Sequence, residues 1–135
     1  MPVPPTPDYT HLIQEAIKAA QNAYAPYSNY RVGAALLTAG GNIYHGCNVE
    51  NAAYGCTICA EQTAISKAVS EGERAFTALV VVTADGGAPC GPCRQVMREF
   101  APQLTVIIAD AGGHARIRTL SQLLPDSFGP ENLNR

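Results

Sequence analysis

Leu79-Val80-Val81-Val82 is a run of four apolar residues with three β-branched members. Such a run favours a strand. With no polar position in it, both faces of that strand must be covered, as happens between layers of helices. Leu104 to Ala109 is a second stretch of the same buried character, and Ala115 to Arg118 reads as a further strand.

The remaining elements supply the cover. Asp8 or Thr10 is placed to cap a first helix, with Leu12, Ile13, Ala16, Ile17, Ala20 and Tyr24 recurring at three- and four-residue spacing until Pro26 stops it. Val32 to Leu37 and Ile43 to Asn48 read as strands. Gly40-Gly41-Asn42 between them supplies turn residues for an antiparallel hairpin. A second helix is predicted from Cys59 to Ser70, with Ala60, Ala64, Ile65, Ala68 and Val69 inward and Gly72 at its end. A third begins around Cys90 to Cys93, where Pro92 suits a first turn, and buries Val96, Met97 and Phe100. A short helical turn follows at Leu120 to Leu124. The order helix, hairpin, helix, strand, helix, strand, strand predicts a three-layer α/β/α domain around a mixed five-stranded sheet. We expect one domain over residues 1–135, with residues 1–7 as a proline-rich lead-in.

The formal net charge is −2, and no run of Lys or Arg is present; the densest basic cluster is Arg94, Arg98 and the Arg116/Arg118 pair. A nucleic-acid backbone calls for a basic stripe, so a polynucleotide partner is disfavoured. No segment approaches the roughly 20 apolar residues of a membrane span. The first residues have neither the basic start nor the apolar core of a signal peptide, and the expected location is the cytosol.

The five cysteines, Cys47, Cys56, Cys59, Cys90 and Cys93, are an odd number in a chain without an export signal. That argues against a disulfide framework and for metal binding. Cys59 sits at the start of the second predicted helix, and Cys90 and Cys93 at the start of the third. A thiolate there is favoured by unpaired backbone N–H groups and the helix dipole. Brought together, the two helix starts supply three sulfurs for one zinc and leave its fourth tetrahedral position open for catalysis. Two other arrangements use the same residues. Cys56-x-x-Cys59 with Cys90-x-x-Cys93 also spells a closed four-cysteine structural site, although the gap between the pairs is longer than in compact zinc ribbons. A redox C-x-x-C is a third possibility, and it leaves two paired cysteines unexplained.

Glu61 bears on the choice. A carboxylate in the first turn of a helix is commonplace. Here it lies two residues after a candidate ligand, with P-C-x-x-C downstream at Pro89 to Cys93. C-x-E with P-C-x-x-C is the pattern of zinc nucleobase deaminases, in which a carboxylate that is not a ligand moves protons.

The sequence resembles the short-chain, homotetrameric, zinc-dependent cytidine deaminases from about Tyr24 to Leu133. The likeness is carried by Tyr24-Ala25-Pro26-Tyr27-Ser28, Val32 to Leu37, Gly46 to Ala52, Cys59-Ala60-Glu61, Pro89 to Gln95 and Leu123 to Pro130. The resemblance implies hydrolysis of cytidine and deoxycytidine to the uridines with release of ammonia, in pyrimidine salvage. It implies one zinc per subunit on Cys59, Cys90 and Cys93, and Glu61 as the proton shuttle. It also implies that Asn48 and Glu50 bind the ribose 3′-hydroxyl, and that Tyr30, at a position usually Phe, and Phe128 pack around the pyrimidine. The backbone N–H groups of Ala60 and Ala52 are expected on the substrate. Phe128, and by analogy Tyr54, are expected in a neighbouring subunit's site. Cys47 and Cys56 are expected to be buried and not ligands.

One departure stands out. Many relatives carry Arg after the glutamate, whereas this chain has Gln62. An amide donates hydrogen bonds to sulfur but brings no charge, so the helix dipoles are expected to offset more of the thiolates' negative charge here. Three other activities share the motifs: deamination of another aminopyrimidine, deamination of cytosine in a polynucleotide, and a zinc-stabilised binding module without catalysis. His11, His45 and His114 lack ligand spacing and are read as structural or solvated.

Overall fold

The computed structural model describes residues 8–133; the expected lead-in, residues 1–7, lies outside them. Helix α1 spans Thr10–Ala20 and is followed by strands β1, Gly33–Thr38, and β2, Ile43–Cys47. Helix α2, Ala60–Ser70, leads to strand β3, Phe76–Thr83, and helix α3, Gly91–Phe100. Strands β4, Thr105–Asp110, and β5, Ala115–Thr119, precede the short helix α4, Leu120–Leu123. The five strands form one mixed sheet in the order β2-β1-β3-β4-β5. Only β3 and β4 are parallel, joined through α3; the other neighbours are antiparallel.

The alternation of side chains along β3 explains its unbroken apolar run. Leu79 and Val81 face one core with Ala34, Leu36, Val106 and Ile108, beneath α2, α3 and α4. Val80 and Val82 face the other core with Ala35, Ile107 and Ala109, beneath α1. The predicted three-layer α/β/α arrangement with five strands is therefore the one observed, and β3 runs further in both directions than the apolar quartet.

Two glycines set how closely helices lie on the sheet. A Cβ on Gly33 would stand 2.6 Å from Ala20 N and collide with the carbonyl of Ala16, so α1 crosses β1 backbone to backbone. A Cβ on Gly46 would stand 2.5 Å from Ala64 N and collide with the carbonyl of Ala60, so α2 crosses β2 in the same way. The second contact fixes the start of α2, where Cys59 lies.

Several boundaries differ from the sequence expectation. The N-cap of α1 is Tyr9, and Asp8 Oδ1 accepts the Thr10 N–H from one residue further out, at 2.9 Å. The helix stops at Ala20, well before Pro26, so Tyr24 is not on its apolar face. Tyr24 instead donates its N–H to Asn48 O and accepts from Glu50 N, pairing with Val49. Tertiary strand pairing outcompetes one more helical turn. At the other end of α2, Gly72 takes φ +97° and its N–H bonds Val69 O, while Glu73 N–H bonds Ala68 O. That is a Schellman stop, as the glycine predicted. Val69, Val96 and Phe100 are only partly buried.

Gly33→Ala is expected to lower stability by roughly 1–3 kcal/mol, because the helix must move off the sheet. Gly40→Ala, whose Cβ would meet nothing nearer than Thr38 Oγ1 at 3.9 Å, is expected to change little. Urea unfolding midpoints of the two variants provide the comparison.

Candidate active site

Helices α2 and α3 pack against the same face of the sheet and bring their first turns together. Cys59 is the N-cap of α2, with φ −75° and ψ 153°, and Cys90 is the N-cap of α3, with φ −69° and ψ 169°. These extended conformations suit an N-cap, but neither sulfur makes the side-chain cap bond that Ser or Asp would provide there. The first-turn N–H groups therefore keep their positive partial charge beside the thiols. Gly91 and Pro92 complete the entry to α3, and Cys93 follows, fully buried.

Cys59 Sγ lies 3.9 Å from Cys90 Sγ, and Cys90 Sγ lies 3.2 Å from Cys93 Sγ. The three sulfurs all fall within 4.8 Å of one another. Tetrahedral Zn–S bonds of about 2.3 Å would set sulfurs about 3.8 Å apart. The donor set and spacing fit one zinc ion. Cys56 is not in this group: it is exposed on a 3-10 turn at Tyr54–Cys56. A closed four-cysteine site is not assembled among the described residues. Cys47 is half-buried in β2, so neither it nor Cys56 is the buried small residue expected.

The hydrogen bond with Cys93 draws the Cys59 thiol down to about 7, against burial and the charge of Glu61. The same hydrogen bond, with burial, drives the Cys93 thiol up. A bound dication would deprotonate coordinating thiols outright. Glu61, in the first turn of α2, is 4% exposed, and burial raises its carboxyl above the usual range. The next side chain, Gln62, donates through Nε2 to Cys93 Sγ at 3.6 Å, a hydrogen bond to sulfur without a formal charge.

Beside the sulfurs lies a cavity of about 310 Å³, at the lower end of the sizes that hold small organic ligands. Cys59, Ala60, Glu61 and Cys90 line one side. Tyr30, Asn48 and Glu50 also line it. Each of the last two is already bonded to protein. Asn48 Oδ1 accepts Val32 N–H at 2.9 Å, and its Nδ2 donates to Tyr30 O at 2.8 Å. Glu50 accepts the N–H groups of Tyr27 and Ser28 and the Ser28 hydroxyl, and the last of these bonds leads in holding its carboxyl low.

Ala52, Tyr54 and Phe128 do not line this cavity within one protomer. Ala52 is exposed, and Tyr54, 77% exposed, packs edge-on against Tyr27 at a ring separation of 6.2 Å. Phe128 is 58% exposed on the C-terminal segment, whose backbone is held by Gln95 Nε2 donating to Phe128 O. The histidines lie off the cavity. His45 Nε2 is 2.9 Å from Glu15 Oε2, His11 is 3.6 Å from the same carboxylate, and His114 pairs with Asp110. Sequence reasoning missed Ser28, Thr83 and Gly87 on the cavity wall. Ser28 ends the Tyr24-Ala25-Pro26-Tyr27-Ser28 stretch, but nothing in its type signals a site. Thr83 and Gly87 read only as a strand end and a loop.

The geometry separates two kinds of cysteine variant. Cys56→Ser is expected to keep one zinc per chain and full stability. Cys93→Ser is expected to lose more zinc affinity than the roughly 10- to 100-fold that outer-shell changes cost. Metal content after dialysis against a chelator distinguishes them.

With this geometry in view, the relatives are informative. Residues 7–109 match the model for the cytidine and deoxycytidylate deaminase zinc-binding region. A protein named cytidine deaminase from Sporosarcina psychrophila is 49% identical over 94% of this chain and 96% of its own length. Another of that name, from Halalkalibacterium halodurans, is 48% identical over 94% of this chain and 98% of its own. A crystal structure of cytidine deaminase from Burkholderia pseudomallei superposes with a TM-score of 0.87 at 48% identity, covering 90% of this chain and all of that one. Sequence, fold and the cluster of three sulfurs agree, and this chain belongs to the cytidine and deoxycytidylate deaminase zinc-binding family.

Proposed function

We propose that this protein is a zinc-dependent aminohydrolase that converts cytidine and deoxycytidine, with water, to the uridines and ammonia, serving pyrimidine salvage. The observation that carries this is the placement of one buried carboxylate, Glu61, on a cavity wall beside three convergent sulfurs at two helix starts. Cys59, Cys90 and Cys93 would hold the zinc, which when bound supplies a Lewis acid that makes water nucleophilic at neutral pH.

The chain's own groups do the rest. Glu61 takes one proton from water and gives it to N3 of the pyrimidine; it then takes the proton of the new C4 hydroxyl and passes it to the 4-amino group, which leaves as ammonia while C4 becomes a carbonyl. The Ala60 N–H, at the first position of α2, is free to meet the base. Asn48 retains one N–H beyond its bond to Tyr30 O, and Glu50 stays ionised as an acceptor; together they suit the ribose 3′-hydroxyl. Tyr30 walls the base. The Ala52 N–H would help position substrate.

A homotetramer with shared sites accounts for the residues outside the cavity. Tyr24, Tyr27, Val49, Tyr54, Ile58 and Phe128 are all exposed by 40% or more. Exposed apolar side chains gathered on one surface mark interaction sites. Phe128 and Tyr54 would each enter a neighbour's cavity. The five free cysteines, three clustered for metal, fit a reducing cytoplasm. No helix among the described residues is long and apolar enough to cross a membrane.

Glu61→Gln is expected to keep its zinc and lose turnover of cytidine by roughly 100- to 10,000-fold, read from the ultraviolet change on deamination. Near-normal turnover removes Glu61 from the chemistry. Activity on cytosine, cytidine monophosphate or single-stranded DNA that matches activity on cytidine overturns the nucleoside assignment.

Shared sites make a second expectation. If Phe128 serves a neighbour, Phe128→Ala and Glu61→Gln chains are each weak alone, and their mixed oligomers recover part of the activity. Mixing without recovery means that each protomer's site is self-contained.

A further inference from the structure

Tyr30 is fixed at both ends. Its carbonyl accepts from Asn48 Nδ2, and its N–H donates to Ser28 Oγ at 3.0 Å. At the other end, its phenol donates to Asp85 Oδ1 at 2.7 Å. The same carboxylate oxygen accepts from Thr83 Oγ1 and from Gly87 N–H, each at 3.2 Å. Gly87 N–H is also 2.8 Å from Thr83 Oγ1. A Cβ on Gly87 would lie 2.8 Å from the Tyr30 hydroxyl, so the phenol rests where only glycine leaves room.

The consequence is chemical as well as geometric. The Tyr30 hydroxyl has one proton and donates it in the hydrogen bond to Asp85, so the residue offers the cavity its ring and not a donor. The bond spans the molecule from the segment ahead of β1 to the loop of residues 84–90, which ends at Cys90. Asp85 lies outside the cavity lining, and Tyr30, Thr83 and Gly87 are part of it.

We propose that Asp85 is a positioning residue of this pocket: through the Tyr30 hydroxyl it holds the aromatic wall of the base site in its bound position before substrate arrives. An aromatic side chain ordered in advance loses no rotamer freedom on binding, which strengthens the complex without touching the chemical step. The inference rests on the deaminase reading above, since it concerns the wall against which the base would lie.

A double-mutant cycle on the zinc-loaded enzyme with cytidine tests it. Tyr30→Phe and Asp85→Ala are each expected to raise KM roughly 2- to 10-fold and to leave kcat within about twofold. Zinc content should not change. In the Asp85→Ala background, Tyr30→Phe should have no further effect, because the bond it deletes is already gone. Asp85→Asn, which keeps an oxygen acceptor, should fall closer to the wild type. Should Asp85→Ala fail to fold, Asp85→Ser, too short to reach the phenol, takes its place. A Tyr30→Phe penalty that is the same with and without Asp85 overturns the proposal, since the hydroxyl would then act on the substrate directly. So does a KM that none of the variants moves. A wild-type protein inert towards cytidine fails the deaminase reading itself; an active wild type with additive penalties fails only the role of Asp85.

Discussion

The site depends on how near two helix N-termini can come while each stays packed on the sheet. α2 reaches that position because Gly46 lets its backbone lie against β2, with no side chain between strand and helix. α3 reaches it because the parallel pairing of β3 with β4 requires a crossover, and the loop from Thr83 delivers Cys90 at the carboxyl end of β3. Once the two starts meet, their unpaired N–H groups create a region of positive potential. Three thiolates can share that region with a dication more readily than they could share an apolar pocket. Gln62 adds a hydrogen bond to the same arrangement without adding charge.

The polar residues of the cavity hold the fold together at this point. Asn48 is buried and binds both Tyr30 and Val32, so its amide sets the path of the chain entering β1. Glu50 closes the turn at Tyr27 and Ser28 through three hydrogen bonds. A carboxylate with that many donors stays ionised and cannot swing away. Residues held this way need little reorganisation when a ligand arrives, and preorganisation is what makes a few polar contacts discriminating. A site built on such residues is hard to alter piecemeal, because each substitution disturbs the backbone as well as the contact.

The C-terminal segment shows a related economy. α3 supplies two of the three clustered cysteines from its N-cap and first turn, and from its outer face it holds the tail: Gln95 binds the Phe128 carbonyl, and Arg98 binds Ser127 and Glu131. Gly129 lies flat against the Arg98 guanidinium, where a Cβ would stand about 2.6 Å from Nη2. One helix thus anchors both the cluster of sulfurs and the segment that presents an exposed aromatic ring.

Much of this was legible in the chain itself, for reasons of chemistry. The apolar quartet in β3 demanded layers on both faces, and its alternation into two cores is what a period of two imposes. C-x-E with P-C-x-x-C specified a cluster of sulfurs with a carboxylate beside it, because few reactions need those groups at that spacing. Gly72 announced the end of α2, since a positive φ there suits little else. Local pattern failed where long-range contacts decided. The helical periodicity of Tyr24 was real, but pairing with Val49 and Asn48 is worth more than another turn. Cys56 and Cys59 share a C-x-x-C pair, and C-x-E already set Cys59 apart at a helix start; what only the fold shows is that Cys56 is not buried but faces solvent on a 3-10 turn. The Tyr30–Asp85 bond joins residues 55 positions apart, and no local signal links them. Residue chemistry determined what kind of centre the chain can build, and the packing of helices on the sheet decided which of the eligible side chains meet there, because proximity across such separations exists only once the sheet has formed.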